Sequence, residues 1–218
     1  MRLTKIGTVI MTLAAALFIS ASAFAASYTI ATVTGDVTVK ANASGSWEKA
    51  KTGQKLSQGA SIRTGKASSA TMKSSAGTIV KVSAVSEMDI SELSADSKGA
   101  ESAKLSLNSG RLNASVKKLA GGNSSFNIKT PTAVAGVRGT DFFAEVNDKN
   151  ESTFGVTDGQ IGVESGGQEI IVDQDFMITV SETGNVSEPE QIPEEVKEQV
   201  QQEQKEMKED AANVNAEE

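Results

Sequence analysis

Between Tyr28 and Val180 apolar residues recur at every second position in short runs, a period that fits half-buried strands and not an amphipathic helix. Val37 and Val39, Val80 and Val82, Leu105 and Leu107, the triplet Phe142, Ala144 and Val146, and Ile161 and Val163 each place their side chains on one strand face. Turn residues interrupt the runs at the spacing of about 8–12 residues expected of a sandwich, barrel or irregular solenoid. Asp158-Gly159, between Phe154-x-Val156 and Ile161-x-Val163, reads as a hairpin with a loop somewhat longer than two residues, and Ser109-Gly110 reads as a second hairpin. The expected fold is all-β: an irregular β-sandwich or solenoid-like stack of short antiparallel strands, with a C-terminal acidic tail that is helical or disordered.

The ends of the chain differ in character from this middle. Arg2 and Lys5 precede the apolar run Ile6–Ile19, and Ala23-Phe24-Ala25 supplies small residues, the layout of a secretory signal peptide over residues 1–25. The alternative is an uncleaved membrane anchor; a paired Arg-Arg is missing, which favours general secretion. Residues 26–187 form the expected β domain and residues 188–218 the tail. That tail holds eleven acidic residues against Lys197, Lys205 and Lys208, so the acidity of the chain belongs to it. Pro193-Glu194-Glu195 opens a run that favours helix, but its apolar stripe is only Val196, Val200 and Met207. With so little to bury, it is expected to be a frayed, solvated helix, or alternatively a partner-binding coiled coil.

The chain has neither cysteine nor histidine. That removes disulfides, thiolate ligands, cysteine nucleophiles and the commonest general base together. Ser115-Val116-Lys117-Lys118, Ser106-Leu107-Asn108 and Lys51-Thr52-Gly53 match the short signatures of penicillin-binding enzymes singly, but in nearly reversed order and with Ser115 expected on a strand. Gly59 to Ala67 misses a phosphate-binding loop by one residue and lacks the magnesium-binding hydroxyl. These readings predict no enzyme, no cofactor and no metal site. Nucleic acid is not expected as a partner, because residues 26–187 are near neutral and show no basic stripe interleaved with aromatics.

The segment Phe126–Phe142 carries the most information. Pro131 cannot donate to a strand ladder and belongs at a strand end or edge. Arg138, between Gly136 and Gly139, is expected to tie a corner together through backbone carbonyls or Asp141; the alternative is a contact with an anion or partner. Thr130-Pro131 followed by Gly136, Val137-Arg138-Gly139-Thr140 and Phe142 resembles the signature of the FecR domain family. Gly35-Asp36-Val37, Trp47, Gly53, Leu56, Gly59, Ile62-Arg63-Thr64-Gly65, Gly77 and Gly110 agree with it in order, and the resemblance covers most of residues 28–165. It implies a predominantly β domain, which in the best-known branch lies in the periplasm as part of a transmembrane anti-sigma regulator. An export signal beginning at Met1 leaves no place for a cytoplasmic sigma-binding region, so the chain resembles the stand-alone secreted members.

The function expected from these features is a non-catalytic exported module, periplasmic or secreted, that binds an envelope protein or cell-wall component and serves in extracytoplasmic sensing or regulation. It is not expected to be an integral membrane protein unless the signal segment is retained as an anchor. A secreted structural or surface scaffold is the alternative, and a hydrolase using Ser and Asp a second.

Overall fold

The computed structural model describes residues 26–96, 100–118 and 124–213. The expected signal peptide and residues 214–218 of the tail lie outside them. The strands are β1 (Tyr28–Thr34), β2 (Val37–Lys40), β3 (Glu48–Lys49), β4 (Lys55–Leu56), β5 (Ser61–Thr64), β6 (Ser69–Ser74), β7 (Ile79–Val82), β8 (Glu87–Ala95) and β9 (Glu101–Ser115). There follow β10 (Ser125–Lys129), β11 (Val134–Val137), β12 (Asp141–Val146), β13 (Ser152–Asp158), β14 (Gln160–Ser165), β15 (Gln168–Asp173), β16 (Phe176–Val180), β17 (Glu190–Gln191) and the helix α1 (Glu194–Asn213).

The strands form one network that β9 divides into two layers. Its first part pairs with β8 and β10, and its last six residues pair with β7 and β12. One sheet therefore runs β3-β2-β5-β8-β9-β10-β11-β14-β15 and the other β4-β1-β6-β7-β9-β12-β13-β16-β17. The period-two residues of both sheets point inward to one core: Val37, Val39, Leu105, Leu107, Ile161 and Val163 from the first, Val80, Val82, Leu112, Phe142, Ala144 and Phe154 from the second. The expected all-β class holds. All strand pairs are antiparallel except β9 with β10, which is parallel.

Both hairpins read from the sequence turn out to be crossings between layers. Gly110 lies inside the continuous β9 with φ +79°, where the strand leaves one sheet for the other. A Cβ there would stand 2.2 Å from Ser86 Oγ and 2.5 Å from the Val85 carbonyl oxygen, so the bend needs glycine for space as well as for its dihedral. Asp158-Gly159 likewise carries the chain from β13 in one sheet to β14 in the other. Local turn chemistry marks a change of direction equally well in both cases; only the partner strands distinguish hairpin from crossing.

The helix lies on the outer face of the second sheet, which becomes the covered sheet, and leaves the first one bare. Its contacts cross the strands in spatial order: Lys197 pairs with Asp175 beside β16 at 2.6 Å, Val200 packs on Phe143 of β12, and Asn113 of β9 donates to Glu203 at 2.6 Å. Next come Lys81 of β7 with Glu206 at 3.1 Å, and Thr71 of β6 and Thr32 of β1 donating to Asp210, each at 2.9 Å. A 20-residue helix is about 30 Å long, and the seven strands from β16 to β1 span about 29 Å, so the helix reaches across with little to spare. The expectation of a frayed, solvated helix is thus corrected. The apolar stripe was read correctly but is completed by Gln204 and Ala211, and buried Val200, Gln204, Met207 and Ala211 fall on one face at helical spacing. What holds the helix is mostly polar complementarity with the sheet, which periodicity cannot report.

Candidate binding surface

The signature segment builds the corner where the chain passes from the bare sheet to the covered one. Thr130 is buried and closes the β10–β11 turn, its hydroxyl accepting from Ala133 N at 3.1 Å, with Pro131 exposed at the tip as expected. In β11, Val137 turns into the core and Gly136 lies outward, opposite Gly162 of β14. Gly139 adopts φ +68° and packs so tightly on Lys118 that a Cβ would stand 2.7 Å from its Cγ. Thr140 is buried and donates to the Gln160 carbonyl at 2.8 Å, tying the corner to the start of β14, and Phe142 enters the core edge-on to Phe126 at 6.4 Å between ring centroids. Arg138 does not tie this corner. Its side chain is exposed and makes no hydrogen bond or ion pair with the described residues, because Asp141, the expected carboxylate, pairs with Lys208 of the helix at 2.6 Å.

On the bare sheet, charges in the interior of the face are answered by neighbours. Arg63 forks onto Glu87 at 2.7 and 3.1 Å while lying 4.3 Å from the Trp47 ring, and Asn108 donates to Asp89 at 2.8 Å. Lys104 faces Glu92 at 3.7 Å. The edges differ more. Three of the four sheet margins end in two-residue strands, β3, β4 and β17, which offer a partner almost no ladder. The fourth, β15, is six residues long and among the described residues pairs with β14 alone.

The Gly166-Gly167 turn sets which groups β15 presents. Its closing pair, Ser165 with Gln168, is hydrogen-bonded in a two-residue hairpin, so Ile170 and Val172 also bond to β14. The main-chain N–H and C=O groups of Glu169, Ile171 and Asp173 then point to the open edge. Their side chains share the outer face, where Ile171 is 49 % exposed; with Val85 it is one of two large hydrophobic residues exposed among the described residues. Neither lysine nor proline guards this strand.

Residues 60–162 match the family model described as FecR protein. They are a FecR domain. The match begins beside β5 and ends within β14, so it is narrower than the resemblance read from the sequence; β1–β4, β15–β17 and α1 lie outside it, although core residues of β1, β2, β4 and β16 share its hydrophobic cluster. Two crystal structures of a candidate anti-sigma factor from Parabacteroides distasonis ATCC 8503, at 1.65 and 2.50 Å resolution, are similar to the chain with a TM-score of 0.51 and 18 % identity. The likeness covers 60 % of this chain and 59 % of that one, and at this identity it shows a shared fold. No curated protein matches the chain.

Around the FecR domain the isolated catalytic fragments do not assemble. Thr52, Gly53 and Lys117 line one cleft, whereas Ser106 and Asn108 belong to the part of β9 in the bare sheet, and Ser115 pairs with Ile79 and Asp141. No group of three metal-capable side chains occurs among the described residues. Sequence reasoning did not single out β15, though a signal was present: Gly166-Gly167 lies between alternating runs at exact hairpin spacing.

Proposed function

We propose that this chain is an exported, non-catalytic module of regulation or sensing that binds an envelope protein or cell-wall component by adding a partner strand to β15. The observation that carries the reading is the six-residue margin of β15, unpaired on its outer side among the described residues and bearing Ile171 between Glu169 and Asp173. The FecR domain and the fold shared with a candidate anti-sigma factor support a regulatory role. Arg138, one residue beyond the Val137–Ile161 pair at the end of the same sheet, is a second point of contact. Export rests on the leader-like residues 1–25.

The test is Ile171→Pro. The N–H it removes points to the open edge, so the β14–β15 ladder keeps its bonds while strand addition is blocked. Pull-down from an envelope extract and sedimentation with purified cell wall are expected to show capture by the native protein and at least about tenfold less by the variant. Equal capture by both, or capture by neither, would reject the edge as the binding element.

A further inference from the structure

On the side of the molecule where β1 and β4 meet the β6–β7 turn, a cleft of about 680 Å³ opens beside the end of α1. Its volume falls within the range of about 300–1,000 Å³ typical of small-molecule sites. Lys55 of β4, Lys73 of β6 and Lys117 just after β9 converge on it from three separate stretches of chain, and among the described residues no Asp or Glu lines it. None of the three lysines forms an ion pair with the described residues. Lys73 donates to the Ala211 carbonyl at 3.3 Å, near the negative end of the helix dipole, while the Lys117 ammonium lies over Gly77, where an added Cβ would be 3.0 Å from its Nζ. Glu101 is held behind the turn, accepting from Ala76 N at 3.4 Å, and is buried.

The chemistry of this cleft is uneven in an informative way. The chain carries a net charge of −7, yet here three lysines line one concavity with no residue of opposite sign on its walls among the described residues. Like charges drawn together repel, and the arrangement is relieved by an anion between them. Beside the lysines the wall offers hydroxyls, including Thr29, Thr52 and Ser75, and among the described residues no aromatic ring. Such a lining suits a ligand that is both charged and polyhydroxylated and gives little to a flat apolar one.

We propose that this cleft binds an anionic saccharide, with Lys55, Lys73 and Lys117 holding its carboxylate or phosphate groups and the threonine and serine hydroxyls meeting its own. The site is separate from β15 and stands whether or not strand addition occurs.

Affinity electrophoresis through gels containing polygalacturonate, phosphorylated dextran or neutral dextran tests it and separates the two kinds of acidic group. The native protein is expected to be retarded by one or both charged polymers and not by dextran. Lys55→Glu with Lys117→Glu should weaken that retardation about tenfold or more, while Lys40→Glu with Lys129→Glu, on the bare sheet, should leave it within about twofold. Ile171→Pro should bind the charged polymer as the native protein does. All the replaced lysines lie outside the core, and circular dichroism checks that each variant is folded. Retardation by neither charged polymer, equal retardation by neutral dextran, or an equal loss in the bare-sheet pair would overturn the proposal.

Discussion

Phe143 of β12 lies on Gly155 of β13, its paired neighbour, so closely that a Cβ at Gly155 would stand 2.3 Å from the ring. Arg111 covers the same ring with its guanidinium carbon 4.6 Å from the centroid, and Val200 of the helix packs on it as well. The missing side chain at Gly155 is what lets this ring lie flat enough to seat the helix.

Gly155→Ala should therefore tilt Phe143 into the helix and destabilise the protein by about 1–3 kcal/mol. Val200→Asp, which buries a carboxylate in the same contact, should cost at least as much, and the two losses should be less than additive because both act by lifting α1. Urea denaturation of the single and double variants measures this. Fully additive losses would show that the helix and the ring are not coupled.

Burial raises the carboxyl pKa of Glu101 above the usual range, an effect partly offset by hydrogen bonds from Ser74, Ala76 and Ser75. The folded state therefore holds this proton more tightly than the unfolded chain. Stability from the group is fully present below the unfolded carboxylate pKa and is lost as pH rises through the folded value. Glu101→Gln removes that dependence. Relative to the native protein, the variant should gain stability over the interval from the usual carboxylate pKa of about 4 upward, measured as a change in urea midpoint. A relative loss over that interval would contradict the buried, proton-holding carboxyl.

Arg138→Met should leave folding intact, with stability within about 0.5 kcal/mol of native, since its exposed side chain bonds to none of the described residues. The same substitution should weaken partner capture if the arginine is the second contact of the β15 surface. Thermal melting separates the outcomes: a large drop in Tm would restore the corner-tying role that the sequence alone suggested.

The alternation of faces follows from the local residue pattern alone. Val80 and Val82, Leu105 and Leu107, and Phe142 and Ala144 are core residues because a strand's side chains alternate, and that rule is local. The turn at Thr130-Pro131 was legible for the same reason, whereas Gly139, packed on Lys118, and Thr140, bonded to Gln160, act through neighbours distant in sequence. The tertiary structure decided everything that depends on which strand lies beside which. Gly110 and Gly159 became crossings rather than hairpins because their flanking strands pair in different sheets. The weakly apolar helix became an ordered cover because Thr32, Thr71, Lys81 and Asn113, scattered over eighty residues, line up on one face to receive its acids. The lysine cleft and the open margin of β15 arise likewise from neighbours absent in sequence, and hydrophobic periodicity carries no information about charge brought together from distant strands.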